Sequence, residues 1–130
     1  MRKTKVGAGP GVALAAIVAS GLFVLAANPA RAADADKGKK IFEVCTGCHS
    51  EGPHAVGPSL RGVYGRQSGS LPDYKYSPAM KRSKLEWNDK NLAEYIANPS
   101  VKVKANNMSF RGVRDPKDID DLVAFLKDYK

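Results

Sequence analysis

Both cysteines of the chain and both of its histidines lie in one short stretch, FEVCTGCHSEGPH, residues 42–54. Cys45 and Cys48 are three residues apart, His49 follows directly, and His54 lies five residues beyond it. Thiols and imidazoles bind metals, form covalent links or act as nucleophiles. Such a concentration of reactive side chains predicts that the chemistry of the chain is located here.

Four familiar uses of neighbouring cysteines and histidines fit this stretch poorly. A thioredoxin-like dithiol needs a strand-rich βαβ unit, which the sequence does not predict. A zinc site would take the two cysteines and two histidines from one segment, and the adjacent Cys48 and His49 would crowd a tetrahedron. An iron–sulfur cluster asks for more thiolates than two. A disulfide that closes so short a loop would constrain little of the unfolded chain.

The use that fits is covalent attachment of haem, for which C-x-x-C-H is a specific signature. Two thiols three residues apart can add to the two vinyl groups of a porphyrin, and the histidine that follows can bind the iron. We therefore predict Cys45 and Cys48 as haem thioethers and His49 as one axial iron ligand.

The opposite face of the iron needs a second ligand from elsewhere in the chain. His54 is too close to His49 in sequence to pass round the ring, so Met80 and Met108 are the candidates. Met80 stands beside a run of charged residues, which indicates a solvated surface. Met108 lies in an irregular segment where a backbone can present a side chain to a metal, and Phe110 can cover the haem edge. We predict Met108 as the second axial ligand.

The start of the chain has the features of a secretory signal. Three basic residues precede an apolar run over residues 12–27, and the small-x-small triplet ARA suits cleavage before Ala33. The competing interpretation is an uncleaved membrane anchor, although the run is shorter than the ~20 apolar residues that usually span a bilayer. We expect a signal peptide over residues 1–32 and one exported domain over residues 33–130.

The charge of the exported domain is moderate. The whole chain has 21 Lys and Arg residues against 13 Asp and Glu. Four of the basic residues belong to the predicted signal, so the domain keeps a small basic excess. No basic cluster is interleaved with aromatic residues, so nucleic-acid binding is not predicted. The excess instead favours acidic partners.

Helices and a long irregular stretch must position the reactive side chains. The helical spacing of apolar residues predicts three helices, over about residues 36–45, 88–98 and 115–130. Asp36, Asn88 and Asp115 are the expected caps, and Pro99 follows the second helix. Residues 50–78 are rich in glycine and proline, and their apolar residues show no regular spacing of a helix or a strand. A loop of that length in a small domain indicates that it wraps around a bound group.

The mature chain resembles the class I cytochromes c, close to the mitochondrial and bacterial cytochrome c2 type. The segments that carry the resemblance are KGKKIFEVCTGCH, VGPSLRGVYGRQSG, YSPAM, LEWNDKNLAEYIANP, NNMSFRGV and DLVAFLK. The resemblance implies an all-α fold wrapped around one covalently bound haem c, with the first and last helices crossing. Gly38 would allow their close approach, and Phe42 would meet Leu122 and Phe125.

The resemblance also implies roles around the haem. His49 and Met108 would be the axial ligands, and the Pro58 carbonyl would accept the other ring proton of His49. Tyr95 would lie near the Met108 sulfur. The donors implied for the haem propionates are Arg66, Tyr76 and Trp87.

Two departures from the family pattern stand close to these residues. The segment KVKANNM places Lys104 and Ala105 where the family usually carries a proline and a glycine. This predicts a looser loop and Lys102 or Lys104 as rival iron ligands at high pH. Met80 stands where relatives often carry an asparagine near the haem.

The function that the resemblance implies is a soluble, monomeric, periplasmic carrier of single electrons, and not an enzyme. Its partners would offer acidic faces, such as a cytochrome bc1-type donor and an oxidase, reaction-centre or reductase acceptor. It would meet a membrane only through these partners or an uncleaved anchor. The alternative is a haem enzyme or gas sensor with an open sixth coordination position. The charges expected to steer docking are Lys39, Lys40, Lys102, Lys104, Arg111 and Arg114.

Overall fold

The structure is a computed structural model that describes residues 4, 7, 9 and 32–130. The chain divides into two units, of which the second, Arg31–Lys130, contains the fold and the site. The predicted signal, residues 1–32, lies outside the described residues except at those three positions and Ala32. Within the described part of the chain, no helix combines the length and the apolar character needed to cross a membrane.

Five helices make up the described domain. They are α1 (Ala35–Thr46), α2 (Pro78–Ser83), α3 (Asp89–Ala97), α4 (Pro99–Lys102) and α5 (Pro116–Asp128). In residues 32–130 the only strand-like pairing is one isolated antiparallel bridge between Gln67 and Glu86. The predicted all-α class is confirmed, and α1, α3 and α5 correspond to the three predicted helices.

The helix starts follow the expected capping chemistry with one correction. Asn88 and Asp115 cap α3 and α5 as predicted. The predicted cap Asp36 is wrong, because α1 begins at Ala35 and its cap is Asp34, two residues earlier. The Asp34 carboxylate accepts the backbone N–H groups of Asp36 and Lys37 at 3.0 and 3.1 Å. Asp36 instead adds negative charge to the first turn, where the helix dipole favours it.

Two short helices were not predicted, and one of them overturns the expectation for Met80. In α2 the Ser77 hydroxyl caps the start by accepting the N–H of Met80 at 3.1 Å, and Pro78 occupies the first turn. The helix turns the charged Lys81 and Arg82 outward, whereas the Met80 side chain is only 7% exposed. The prediction of a solvated Met80 is therefore wrong. In α4, Pro99 starts a new helix directly after the second predicted one ends.

Helices α1 and α5 cross at Gly38. A Cβ atom at this position would lie 2.0 Å from the carbonyl oxygen of Asp121, so only glycine permits the approach. Nearby, the rings of Phe42 and Phe125 pack with their centroids 5.1 Å apart, and Leu122 is buried in the same core cluster as Phe42. The predicted crossing of the first and last helices is confirmed.

The Asp121 carboxylate is a buried charge at this crossing. Its Oδ1 accepts the Asp34 N–H at 2.7 Å and the Lys117 ammonium at 2.8 Å. The Lys37 ammonium lies 3.6 Å from Oδ2. Two cations and a backbone donor therefore compensate the carboxylate and join the start of α1 to α5.

We expect this carboxylate to make the domain sensitive to acid. The hydrogen bond from Lys117, followed by that from Asp34, holds the pKa of Asp121 below its ordinary value of 3.8. Because the folded-state pKa is the lower one, its contribution to stability is complete at neutral pH and is lost as pH falls through that pKa. Urea unfolding at pH 7 and pH 3 should show a smaller loss in Asp121→Asn than in the wild type.

The exposed Asp120 provides the matched control. Asp120→Asn removes the same charge one residue earlier and should keep the pH dependence of the wild type. Equal pH dependence in the wild type and in Asp121→Asn would contradict the prediction.

Candidate functional site

A cavity of about 270 Å³ opens inside the domain and brings together every residue predicted for the site. Apolar core residues of α3 and α5, among them Leu92, Leu122 and Leu126, form much of its wall. Val44, Cys48 and Val56 line the cavity and are exposed, so the cavity reaches the surface there. The predicted residues that line it are Cys45, Cys48, His49, Pro58, Arg66, Tyr76, Trp87, Tyr95, Met108 and Phe110.

The two cysteines are placed by the end of α1. Cys45 lies in its last turn, and the carbonyl of Cys45 accepts the N–H groups of Cys48 and His49 at 3.2 and 2.9 Å. This turn presents both side chains to the cavity. Cys45 is half-buried, Cys48 is exposed, and the two do not form a disulfide. Burial, with a smaller effect of Cys48, raises the pKa of the Cys45 thiol, opposite to the lowered pKa of a redox-active dithiol.

The His49 ring is held in one tautomer. Its Nδ1 lies 2.7 Å from the Pro58 carbonyl oxygen, which can only accept, so Nδ1 carries the proton. The lone pair of Nε2 is therefore available to a metal. Gly57 packs against the ring, and a Cβ atom there would lie 2.7 Å from two ring atoms. The contact that the resemblance implied between His49 and Pro58 is present.

Met108 lies half-buried in the irregular segment between α4 and α5. Its backbone N–H donates to Oδ1 of Asn106 at 2.7 Å. The Tyr95 hydroxyl, expected near the Met108 sulfur, donates to the same Asn106 oxygen at 3.3 Å. Burial raises the pKa of Tyr95 to about 12, so this hydroxyl stays a donor.

Arg66, Tyr76 and Trp87 form a polar part of the cavity wall. The backbone N–H of Trp87 donates to the backbone carbonyl of Arg66 at 2.9 Å, which sets the two residues side by side. The Arg66 guanidinium donates to the backbone carbonyls of Ser59 and Arg61 at 2.8 and 3.0 Å, leaving other N–H groups free for a ligand. Burial lowers the pKa of Arg66 and raises that of Tyr76. The half-buried side chains of Arg66 and Tyr76, beside the buried Trp87, suit anionic groups in the cavity.

Met80 and His54, the two residues set aside as axial ligands, lie in different surroundings. Met80 lines the cavity although the neighbouring charged residues indicated the surface, and its place agrees with the family resemblance, which sets this position near the haem. His54 is exposed and does not line the cavity. Within residues 32–130, no group of three or more His, Cys, Asp or Glu side chains is arranged to share a metal ion. The zinc arrangement of Cys45, Cys48 and both histidines is therefore not formed.

One of the expected docking charges is engaged elsewhere. The Lys102 ammonium donates to Oδ1 of Asn91 at 2.9 Å and forms an ion pair with Glu94. This side chain is 19% exposed, so Lys102 does not stand free on the surface. The other five expected charges are exposed: Lys39, Lys40, Lys104, Arg111 and Arg114.

Together these features fit a covalently attached haem. The cavity is apolar where core helices wall it, and half-buried donors line one part of it. The cavity is also lined by two thiols and by a histidine whose Nε2 lone pair is free. These groups lie near Val44 and Val56, where the cavity reaches the surface. Gly57 leaves room that a larger residue would take from the His49 ring.

Comparison with known proteins agrees with this fit. Residues 35–130 match the family described as cytochrome c. The cytochrome c2 of Blastochloris viridis is 44% identical over 114 residues, covering 84% of this chain and 90% of that protein. The cytochrome c2 of Afifella marina is 46% identical over 98 residues, 71% of this chain and 79% of that protein.

The fold has a similar counterpart among solved structures. Cytochrome cH from Methylobacterium extorquens matches with a TM-score of 0.69 and 41% identity, covering 72% of this chain and 97% of the other. Family, sequence relatives and fold therefore agree. The chain belongs to the cytochrome c family, as a class I cytochrome of the c2 type that carries electrons and holds iron in a covalently attached haem c.

Proposed function

We propose that this chain is a soluble periplasmic carrier of single electrons whose iron is ligated by His49 and Met108. The observation that carries the proposal is that both side chains line one cavity together with Cys45 and Cys48. When bound, haem c supplies an iron centre that gains and loses one electron. With His49 and Met108 both holding the iron, no coordination position would be needed for a substrate, so the role would be transfer and not catalysis.

The thiols support permanent attachment. Each S–H group would add across one vinyl group of the porphyrin, forming a thioether without loss of atoms. Cys45 and Cys48 are separated by one turn at the end of α1, and His49 follows them with its Nε2 lone pair free. Attachment would therefore fix the group beside its proximal ligand.

The remaining pocket residues would balance the negative charge of the haem propionates and limit the access of water to the haem. The free N–H groups of Arg66, with the donors of Tyr76 and Trp87, would compensate the haem propionates inside the cavity. Trp87 and Tyr95 pack with ring centroids 5.0 Å apart and close part of the wall. Phe110 lines the same cavity two residues after Met108. An apolar pocket and a thioether ligand both favour the reduced, less charged state of iron.

Electrons would enter and leave where the cavity meets the surface. Val44, Cys48 and Val56 are exposed there, so a partner can approach without opening the fold. Lys39, Lys40, Lys104, Arg111 and Arg114 would steer the acidic face of a partner, such as a cytochrome bc1-type donor or an oxidase, reaction-centre or reductase acceptor. Lys102, paired with Glu94, would take little part.

A visible spectrum of the purified protein in both redox states tests this ligation. We expect a coloured protein whose oxidised form shows a weak absorbance band near the red end of the visible, the sign of iron–methionine ligation. The reduced protein should not bind carbon monoxide at neutral pH. Absence of the band together with carbon monoxide binding would instead support an enzyme or gas sensor with an open sixth position.

A further inference from the structure

The segment that carries Met108 is fixed at both ends by backbone hydrogen bonds. At one end the Val103 N–H donates to the Pro99 carbonyl at 3.0 Å. At the other, the Val113 N–H donates to the Ile96 carbonyl at 3.0 Å. These hydrogen bonds attach the ends of the segment to the junction of α3 and α4. The middle of the segment, where Met108 lies, requires other contacts to fix it.

Asn106 supplies that hold through four hydrogen bonds of its side chain. Its Nδ2 donates to the carbonyls of Pro99 and Val103 at 3.0 and 2.8 Å. Its Oδ1 accepts the Met108 N–H at 2.7 Å and the Tyr95 hydroxyl at 3.3 Å. One half-buried amide thus connects α3, α4 and the backbone of the candidate ligand.

This arrangement saturates the amide and fixes its orientation. An asparagine side chain has two N–H donors and one oxygen that can accept two hydrogen bonds, so four partners use all of its capacity. The two carbonyls can only accept, and the Met108 N–H can only donate. Rotating the amide by half a turn would set N–H against N–H and oxygen against oxygen, so the partners allow one orientation.

The backbone conformation of Ala105, the residue before Asn106, requires stabilisation by these hydrogen bonds. Ala105 has a φ of +61°, in the left-handed region that residues with a Cβ rarely adopt. The local backbone therefore does not favour this conformation by itself, and interactions with the surroundings must maintain it. Asn106 is the next residue, and its four bonds act directly on the strained turn.

We propose that Asn106 is the positioning residue for Met108, holding the methionine toward the iron by bonding both its backbone and the α3–α4 junction. This inference rests on the proposed ligation by His49 and Met108. It assigns the stability of the iron–methionine bond to a side chain that does not touch the iron. Loss of Asn106 should let Met108 leave the iron more often while the rest of the pocket remains.

The experiment measures how readily imidazole replaces Met108 on the oxidised holoprotein. Imidazole added to the solution competes with the methionine, so its apparent affinity reports how often Met108 leaves. We expect Asn106→Ala to bind imidazole at least about tenfold more tightly than the wild type, since several hydrogen bonds are lost. The red-end band should weaken in the same variant.

Asn107→Ala is the matched control. Asn107 is exposed at the edge of the cavity, and its side chain makes no hydrogen bond with the rest of the described chain. This variant should stay within about twofold of the wild-type imidazole affinity, because it breaks no bond to the segment. Equal imidazole affinities in Asn106→Ala, Asn107→Ala and the wild type would overturn the inference.

A second variant keeps the test decisive where the alanine variant does not fold. Asn106→Asp keeps an oxygen that accepts from Met108 and Tyr95 but sets a second oxygen against the carbonyls of Pro99 and Val103, so its imidazole affinity should also rise above that of the wild type. An aspartate variant identical to the wild type would overturn the positioning role. Failure of the ligation proposal itself is distinguishable, because the wild type would then lack the red-end band before any variant is compared.

Discussion

Replacing Met108 with leucine is expected to abolish the red-end band of the oxidised protein and to let the reduced protein bind carbon monoxide. Leucine keeps nearly the same volume, so the pocket should remain packed while the sulfur is lost. The reduction potential should fall, on the order of 0.1 V, because the axial ligands of haem proteins set potentials over about 0.8 V. Visible spectroscopy and a redox titration measure both effects.

Met80, the second methionine that lines the cavity, provides the matched control for this experiment. Met80 also lines the cavity and is buried. Met80→Leu should keep the red-end band and exclude carbon monoxide, because its sulfur is not expected on the iron. If Met80→Leu abolished the band and Met108→Leu kept it, the two methionines would have to exchange roles.

Replacing Gly38 with alanine is expected to destabilise the protein severely, although alanine is the better helix former by about 1 kcal/mol. The new Cβ would lie 2.0 Å from the carbonyl oxygen of Asp121 and 2.9 Å from Cβ of Phe125. Neither atom is the end of a flexible side chain, so α1 and α5 would have to separate. We expect a loss of about 3 kcal/mol or more in the free energy of unfolding.

Gly47 offers the same substitution at the end of the same helix. It has right-handed helical dihedrals, and a Cβ atom there would meet nothing within 4 Å. Gly47→Ala should therefore leave the free energy of unfolding nearly unchanged or raise it slightly. Denaturant unfolding of both variants checks the pair, and a Gly38→Ala protein as stable as Gly47→Ala would contradict the proposed close packing.

The sequence alone predicted the features that leave a local signal, either a reactive motif or a regular spacing of apolar residues. The C-x-x-C-H motif located the site, and apolar spacing with Asn88 and Asp115 as caps located α3 and α5. The helix crossing at Gly38 came from the family resemblance, since a single glycine in a helix does not reveal what approaches it. These features depend on local signals or on several matched motifs together.

The features that sequence reasoning missed depend on contacts between distant residues or on very short elements. Helix α2 has only six residues, too few to show a period, so the spacing of apolar residues did not indicate that Met80 is buried. Lys102 was expected free, but the break at Pro99 brings it to Glu94, eight residues earlier in the chain. The role of Asn106 depends on four partners that no spacing rule connects.

The hydrogen bond between the Asp34 N–H and Asp121 joins residues 87 positions apart in the sequence. Such a contact closes a long loop, whose entropy must be lost before the contact can form. Helix α1, which ends in the attachment cysteines, therefore cannot bury its inner face until the last helix of the chain has arrived. We expect both thiols to stay accessible through most of the maturation of the protein. We therefore expect haem attachment to precede the arrival of the last helix, which would then enclose the attached group.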